Sequence, residues 1–444
     1  MAARAIRPAG GRMTALAALV VLGTVPAAAG GQVANPLPQA VGMGGNYTAL
    51  ARGLAAPAWN PGGLGMPDNP AFSITVLPVD LATGLGPVTL GDFAAYDGEL
   101  IPHATRSRWL DRIVAAGGEE GTADADLTYV ALSIGRVALS ASSSLRSRVD
   151  VAPDVAELVL FGNAGLTGEP RDHLLEGSAF DMAATSTLAA SVGIPLRLRL
   201  GPAPDQHFAI GATLTYTVGN VLVLGREDGG SVRSDPLGVD VRFPLVHTPL
   251  PDGDGSDDGD LSNGSGIGLD IGAAWRSGPL SAGVVIRNLI NTFEWEVGEL
   301  EYREGRATWD ADTTYSSFEE RPTGQIPAGL VSRIDDLYTF SPLLAAGAAV
   351  ELSPVLTLTG EVRHALEDHL AVGARSHLGV GARLQVAPFL PVRAGLALIS
   401  GGYRLSGGLG LRLAAVELSA AAGYRNGELG DDTVVGLGVT IGVP

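Results

Sequence analysis

From Tyr403 to the end of the chain the sequence alternates. Tyr403, Leu405, Gly407, Leu409, Leu411 and Leu413 fall on one face of an extended backbone, and Arg404, Ser406, Gly408, Gly410 and Arg412 on the other. This is the two-residue period of a strand whose faces meet different surroundings. Two further segments repeat it. Val416, Leu418, Ala420, Ala422 and Tyr424 oppose Glu417, Ser419, Ala421, Gly423 and Arg425, and Val435, Leu437, Val439, Ile441 and Val443 oppose Val434, Gly436, Gly438, Thr440 and Gly442. Ser400-Gly401-Gly402 and Asn426-Gly427 have the composition of tight hairpin turns.

Similar segments lie near residues 72–77, 127–133, 136–144, 182–194, 207–218, 267–276, 280–288, 342–352, 355–363, 378–386 and 391–399. Together they predict about fourteen strands. The polar stretches 92–125, 150–178, 226–262 and 293–323 are predicted loops. Short turns on one side and long loops on the other predict an all-β fold, a single transmembrane antiparallel β-barrel. The competing fold is a periplasmic β-sandwich, which would need a more aromatic core than a 5% aromatic chain provides.

Composition sharpens this. Glycine is 62 of 444 residues, charged residues are 17%, and the mean hydropathy is +0.24, which is apolar and glycine-rich for a soluble enzyme. The longest uncharged stretch, Gln206 to Gly225, holds Thr213, Thr215, Thr217 and Asn220 and alternates, so it reads as a strand pair and not a spanning helix. A chain that crosses lipid without helices must close its backbone hydrogen bonds in a barrel. The net charge of −18 argues against nucleic acid. The absence of cysteine removes disulfides, thiolate metal ligands and cysteine nucleophiles.

At the N-terminus, Arg4, Arg7 and Arg12 precede an uncharged run from Thr14 to Val25 and the small residues Ala27-Ala28-Ala29. This predicts a secretory signal peptide over 1–29. A membrane anchor is the competing reading, and the short apolar run disfavours it. The compartment expected is the bacterial outer membrane.

Residues 40–65 read AVGMGGNYTALARGLAAPAWNPGGLG. Taken as a unit, Gly42-Met43-Gly44-Gly45-x-Tyr47-Thr48-Ala49-Leu50-Ala51 followed by Trp59-Asn60-Pro61-x-x-Leu64 resembles the N-terminal signature of the FadL/PorV-like superfamily of outer-membrane barrels. The segment from Val284 through Asn288-Leu289-Ile290-Asn291-Thr292 to Trp295 is similar to one found in an uncharacterised branch of that superfamily. The chain ends in Val443-Pro444, where barrel-assembly signals usually end in an aromatic residue. The resemblance implies that residues 30–70 fold inward as a plug, with Gly42, Gly44, Gly45, Trp59, Asn60 and Pro61 as the plug motif, inside a barrel over 71–444. In the fatty-acid transporters of the superfamily the plug lies beneath a hydrophobic ligand site; PorV-like barrels bind secreted proteins.

The remaining chemistry is sparse. Glu361, Arg363, Arg383, Arg393, Arg404, Arg412 and Glu417 fall opposite the apolar faces and are expected to point into the lumen, because a charge facing lipid near mid-bilayer costs roughly 2–4 kcal/mol. They read either as an ion-pair ladder bracing the interior or as a polar path that meets a ligand headgroup. The run Asp252-Gly-Asp254-Gly-Ser-Asp257-Asp258-Gly-Asp260 reads as a calcium loop or as a solvated loop tip. Ser142-Ser143-Ser144 lacks a nucleophile elbow, His364, His369 and His377 lack metal-ligand spacing, and Glu119-Glu120 and Glu319-Glu320 fall in predicted loops. No catalytic residue, metal ligand or cofactor is therefore expected. Membrane lipid is the expected surrounding. The leading expectation is passage or binding of a small hydrophobic molecule; the alternative is a non-transporting barrel that binds or anchors secreted protein partners.

Overall fold

The computed structural model describes residues 36–443 except 164, 199–204, 250–261, 311–313, 318–319, 322–325, 339, 368–374, 401 and 428–429. The signal-peptide segment, the whole Asp252–Asp260 run, Glu319 and His369 lie outside the described residues.

Fourteen strands close into one antiparallel barrel. In chain order they are β1 (Phe72–Gly86), β2 (Glu119–Ile134), β3 (Val137–Val151), β4 (Ala179–Leu196), β5 (Gln206–Arg226), β6 (Gly264–Ser277) and β7 (Leu280–Asn291). The second half comprises β8 (Leu343–Ser353), β9 (Leu356–Ala365), β10 (Ser376–Ala387), β11 (Leu390–Ile399), β12 (Gly402–Leu413), β13 (Val416–Gly427) and β14 (Gly430–Val443). Each strand pairs with its sequence neighbours, and β1 pairs with β14 from Phe72↔Val443 to Leu85↔Asp431, which closes the wall. Closure removes the two free edges that an open sheet of these strands would have. The turns after β2, β6, β8, β10 and β12 are two residues long, and they share one end of the barrel with residue 443. The long connections gather at the other end, the loop face.

Alternation decides which side chains meet which medium. Leu378 (60% exposed), Leu398 (59%) and Leu409 (57%) belong to an outward belt of leucine, valine and isoleucine that runs around the wall. Their chain neighbours His377, Ala397 and the small Gly408 turn inward and are buried. No helix of the described residues is long and apolar enough to cross a membrane, so the strands carry the apolar surface.

Several strands are longer than the sequence pattern predicts, β1, β2, β3 and β5 most of all. The segments read as 72–77, 127–133 and 136–144 are the lower parts of β1, β2 and β3, and the predicted loop 92–125 already contains the start of β2. The upper parts turn Asp124 and Asp126 of β2 and Arg146 and Arg148 of β3 onto the one inward face, opposite the small Ala123, Ala125 and Ser147, so the strongly apolar alternation fades while backbone pairing continues to Glu119↔Val151. Glu119 therefore does not lie in a solvated loop: it is buried, and its carboxylate accepts the Val88 N–H at 3.1 Å.

The plug contains two single-turn helices, α1 (Pro38–Val41) and α2 (Ala56–Trp59). The connection β1–β2 holds α3 (Leu90–Ala94) and α4 (His103–Ala116), and the β3–β4 connection holds α5 (Pro153–Phe161). Thr89 and Asp92 form a reciprocal capping box on α3. The α4 helix ends at Gly117, whose φ of 87° is left-handed. Trp109 and Ile113 of α4, Ala156 of α5 and Val88 share a small apolar core. A larger one, built on Leu222, Leu224, Phe293, Trp295, Tyr302 and Ile334, lies under the β5–β6 and β7–β8 connections and α6 (Ala328–Tyr338). A second sheet of five short strands, His173–Leu174, Ser231–Ser234, Leu237–Arg242, Arg306–Trp309 and Thr314–Ser317, joins three of these connections.

Candidate functional site

The lumen is filled by residues 36–66, and the wall has been thinned to receive them. Gly44 (φ 69°) and Gly45 (φ 79°) turn the chain through left-handed conformations that a side chain would strain. Opposite them, a Cβ on Gly395 of β11 would lie 2.2 Å from Gly44 N, and one on Gly211 of β5 would lie 2.3 Å from the Pro61 carbonyl carbon. The plug backbone thus sits directly on wall backbone. At Gly42 the same holds against Gly408, where a Cβ would lie 3.0 Å from the Gly408 Cα.

Polar groups of the plug are matched to polar groups of the wall. Asn60 is fully buried: its Oδ1 accepts the Gly62 N–H at 3.0 Å and its Nδ2 donates to the Ala273 carbonyl at 3.0 Å. Pro61 then starts a 3₁₀ turn, where its missing N–H costs nothing. Trp59 meets Tyr47 edge-on at 5.8 Å, and the guanidinium groups of Arg287 and Arg363 lie 5.7 Å and 5.6 Å from its ring centre, within cation–π range. Glu361 accepts the Thr48 N–H at 2.8 Å and pairs with Arg363 at 3.2 Å. His377 Nδ1 lies 3.0 Å from the Arg363 guanidinium and Nε2 lies 3.0 Å from Asn46 Oδ1. A guanidinium can only donate, so Nδ1 accepts and Nε2 carries the proton that Asn46 receives. Nearer the short-turn end, Asp68 joins Arg52 (2.8 Å) to Arg276 of β6 (2.7 Å). Burial pulls its carboxyl upward, but the two arginines outweigh that and hold it below the usual aspartate range.

On the loop side of the plug lies a chamber of about 240 Å³. Asp80, Asp124, Asp126, Arg146, Arg363, His377, Arg404 and Arg425 line it together with Val41, Leu343, Ile399 and Val434. Register explains the charge layout. Asp80 faces Asp126 across β1 and β2, Arg404 faces Arg425 across β12 and β13, and Arg146 on β3 reaches Asp126 at 3.0 Å. Reading along the wall from β12 to β3, a basic flank is followed by an acidic centre and then a basic residue.

The sequence-predicted residues separate into three groups. Glu361 and Arg363 meet the plug, and Arg404 lines the chamber. Arg383 donates to Thr357 Oγ1 at 3.1 Å, as one strand braced to the next. Arg393 and Arg412 both pair with Glu417, whose carboxylate also lies 3.4 Å from the Gln39 side-chain nitrogen of the plug; the Arg412 side chain is 42% exposed at the short-turn end. Sequence reading missed Asp80, Asp124, Asp126 and Arg146. In β1 the reason is local. Leu77 has φ 54° and the register with β14 shifts between Val76 and Val79, so the inward phase passes from Ser73 and Thr75 to Asp80. Pro78 beside Leu77 is the signal that could have shown it. The Ser142–Ser144 run is buried in the barrel wall, with Ser144 bonded to Asp126.

Comparison with known proteins adds the following. The family described as "F plasmid transfer operon, TraF, protein" matches residues 110–362. Among solved structures the chain is similar to a Pseudomonas aeruginosa FadL homologue, with 13% identity over 94% of this chain and 98% of that one, TM-score 0.42. It is also similar to the P. putida toluene transporter TodX, with 9% identity over 91% and 97%, TM-score 0.42, and to the CymD monoaromatic hydrocarbon channel, with 12% identity over 91% and 97%, TM-score 0.38. No curated protein matches. The FadL-type barrels that the N-terminal motif resembles thus recur among the structural neighbours, and the matching family carries a description where an uncharacterised branch was expected. With more than half of its length matched, the chain is a member of the TraF protein family of the F plasmid transfer operon description.

Proposed function

We propose that the protein is an outer-membrane channel, gated by its own N-terminal segment, that takes up a small hydrophobic molecule bearing a polar or charged head. The observation that carries this reading is the chamber: the plug contributes Val41 to its wall, and apolar Val41, Leu343, Ile399 and Val434 share its lining with paired charges. An apolar body finds partners on the first set and a head on the second. The outward apolar belt, with short turns at one end and long connections at the other, supports the outer membrane as its location.

Uptake into proteoliposomes tests it. The whole chain should admit a medium-chain carboxylate while retaining an entrapped disaccharide, and replacing Arg404 and Arg425 together by glutamine should slow carboxylate uptake. Leak of the disaccharide through the whole chain, or carboxylate uptake indifferent to those arginines, would contradict the reading.

A further inference from the structure

Outside the lumen, on the loop face, one cluster of side chains has no part in the channel. Asp154 and Glu157 lie three residues apart on α5, which places them one turn apart on the same helix face. His173 approaches them from the short strand His173–Leu174, held by its pairing with Val232. One ligating atom from each of the three lies within 4.8 Å of the others.

His173 is 0% exposed, and neither of its ring nitrogens has a hydrogen-bond partner among the described residues. A neutral imidazole carries one N–H and one lone pair, and buried polar atoms of this kind are nearly always satisfied. Here one ring nitrogen lies within 4.8 Å of a carboxylate oxygen of each acid, yet it is hydrogen-bonded to neither. A cation placed between the three would satisfy it.

A cation is already there. The Arg171 guanidinium pairs with Asp154 Oδ1 at 2.9 Å and with Glu157 Oε2. The other oxygens are fixed by backbone donors, Leu174 N–H to Asp154 Oδ2 at 2.9 Å and Leu166 N–H to Glu157 Oε1 at 2.8 Å. Those bonds hold Oδ1 and Oε2 toward the guanidinium, as outer partners orient metal-binding carboxylates. Arg171 can satisfy the carboxylates through Nη2 while its Nη1 donates to the Asp172 carbonyl at 3.2 Å, but a guanidinium with these bonds leaves His173 unpaired. Its side chain is 43% exposed, so it can leave for solvent without crossing packed structure.

We propose that Asp154, Glu157 and His173 bind a divalent transition-metal ion of the zinc class, and that Arg171 occupies the cation position until the ion displaces it. One imidazole nitrogen and two carboxylate oxygens form a three-ligand set that leaves a fourth position for water. The nitrogen donor favours zinc and its neighbours over calcium or magnesium, which prefer all-oxygen cages. With a neutral histidine, a doubly charged ion balances both carboxylates, which a singly charged guanidinium does not. The site ties α5 to the outer sheet, at a place where the sequence gives no metal motif because His173 lies sixteen residues beyond Glu157 in a separate element.

Titration of the whole chain in detergent with zinc sulfate, and in parallel with cobalt chloride followed by visible absorption, tests this. One equivalent should bind, the cobalt complex should show the strong absorption of low coordination, and His173→Gln and Glu157→Gln should each weaken zinc by at least ~10-fold. Arg171→Ala should tighten binding, because it removes the competitor, whereas a purely structural Arg171 would give weaker or unchanged binding. Intrinsic barrel folding is checked by heat-modified gel mobility. Zinc binding that is absent in the whole chain, that survives His173→Gln undiminished, or that fails to strengthen in Arg171→Ala overturns the proposal.

Discussion

Replacing Gly395 by alanine isolates the contact on which the plugged architecture depends. The added Cβ would lie 2.2 Å from Gly44 N and from the Met43 carbonyl carbon, where carbon contacts rest at about 3.5 Å. The plug backbone must withdraw by about 1.3 Å to restore ordinary contact. Overpacking of this kind costs about 1–3 kcal/mol. The same withdrawal stretches the 3.0 Å bond between His377 and Asn46 beyond the limit of about 3.5 Å, losing about 1 kcal/mol more. A loss of about 2–4 kcal/mol in seating multiplies the unseated population by about 30-fold to several hundred-fold. The barrel itself loses nothing, since the strain falls on the plug.

Ion conductance of single molecules in planar bilayers reads this directly. Gly395→Ala should show frequent openings that the parent chain lacks. Gly407→Ala, whose Cβ would meet nothing nearer than the Arg393 carbonyl at 3.8 Å, should behave as the parent. Equal conductance of Gly395→Ala and the parent, with both folded, would refute the reasoning.

Two other consequences follow from the placement of charges. Val380 is 57% exposed at the middle of β10, so Val380→Arg should destabilise the folded barrel in lipid by about 2–4 kcal/mol, whereas Val386→Arg at the strand end should cost at most about 1 kcal/mol; equal effects in urea titrations would argue against a spanning belt. Partial burial pulls the Asp92 carboxyl up, but the Thr89 N–H and the Arg112 guanidinium outweigh it and leave it below the usual aspartate range. A depressed carboxyl contributes stability above its unfolded value that is lost as pH falls through the lower folded value. Hydrogen exchange in α3 and the start of α4 should therefore accelerate on acidification below about pH 4, and Arg112→Ala should flatten that response; an unaltered profile in Arg112→Ala would count against the pair.

How much of this was legible in the sequence varied with the surroundings of each segment. From Tyr403 to Val443 the inner and outer faces could be read residue by residue, because lipid on one side and a plugged lumen on the other impose opposite demands at every step. The same reading stopped at Leu77 in β1, where a bulge reverses the phase, and at Asp124, where the inward face becomes charged and the outward one is reduced to small residues such as Ala123 and Ala125. The plug motif was visible as a unit, yet what fixes it was not: Gly395, Gly211 and His377 are distant in sequence and carry no signature of facing Gly44, Pro61 and Asn46. The outer sheet was hidden for the same reason, since His173, Val232, Val239 and Thr308 come from three connections and meet only once the barrel has brought those connections together. Glu361, Arg363 and Arg404 could be placed inward from alternation alone, but their division between plug contact and chamber lining depends on how far up its strand each one sits.

The central claim is that residues 36–66 are seated inside the barrel, and the cysteine-free chain allows a direct test. The Val41 Cβ lies 3.8 Å from the position a Cβ would take at Gly436 of β14, close to the mean separation of about 3.8 Å in disulfides. In the double variant Val41→Cys, Gly436→Cys, oxidation of the folded protein should form an intramolecular disulfide. The denatured chain should then migrate faster without reductant and normally with it. A plug lying outside the lumen would leave both thiols free and available to alkylation, and that result would contradict the account.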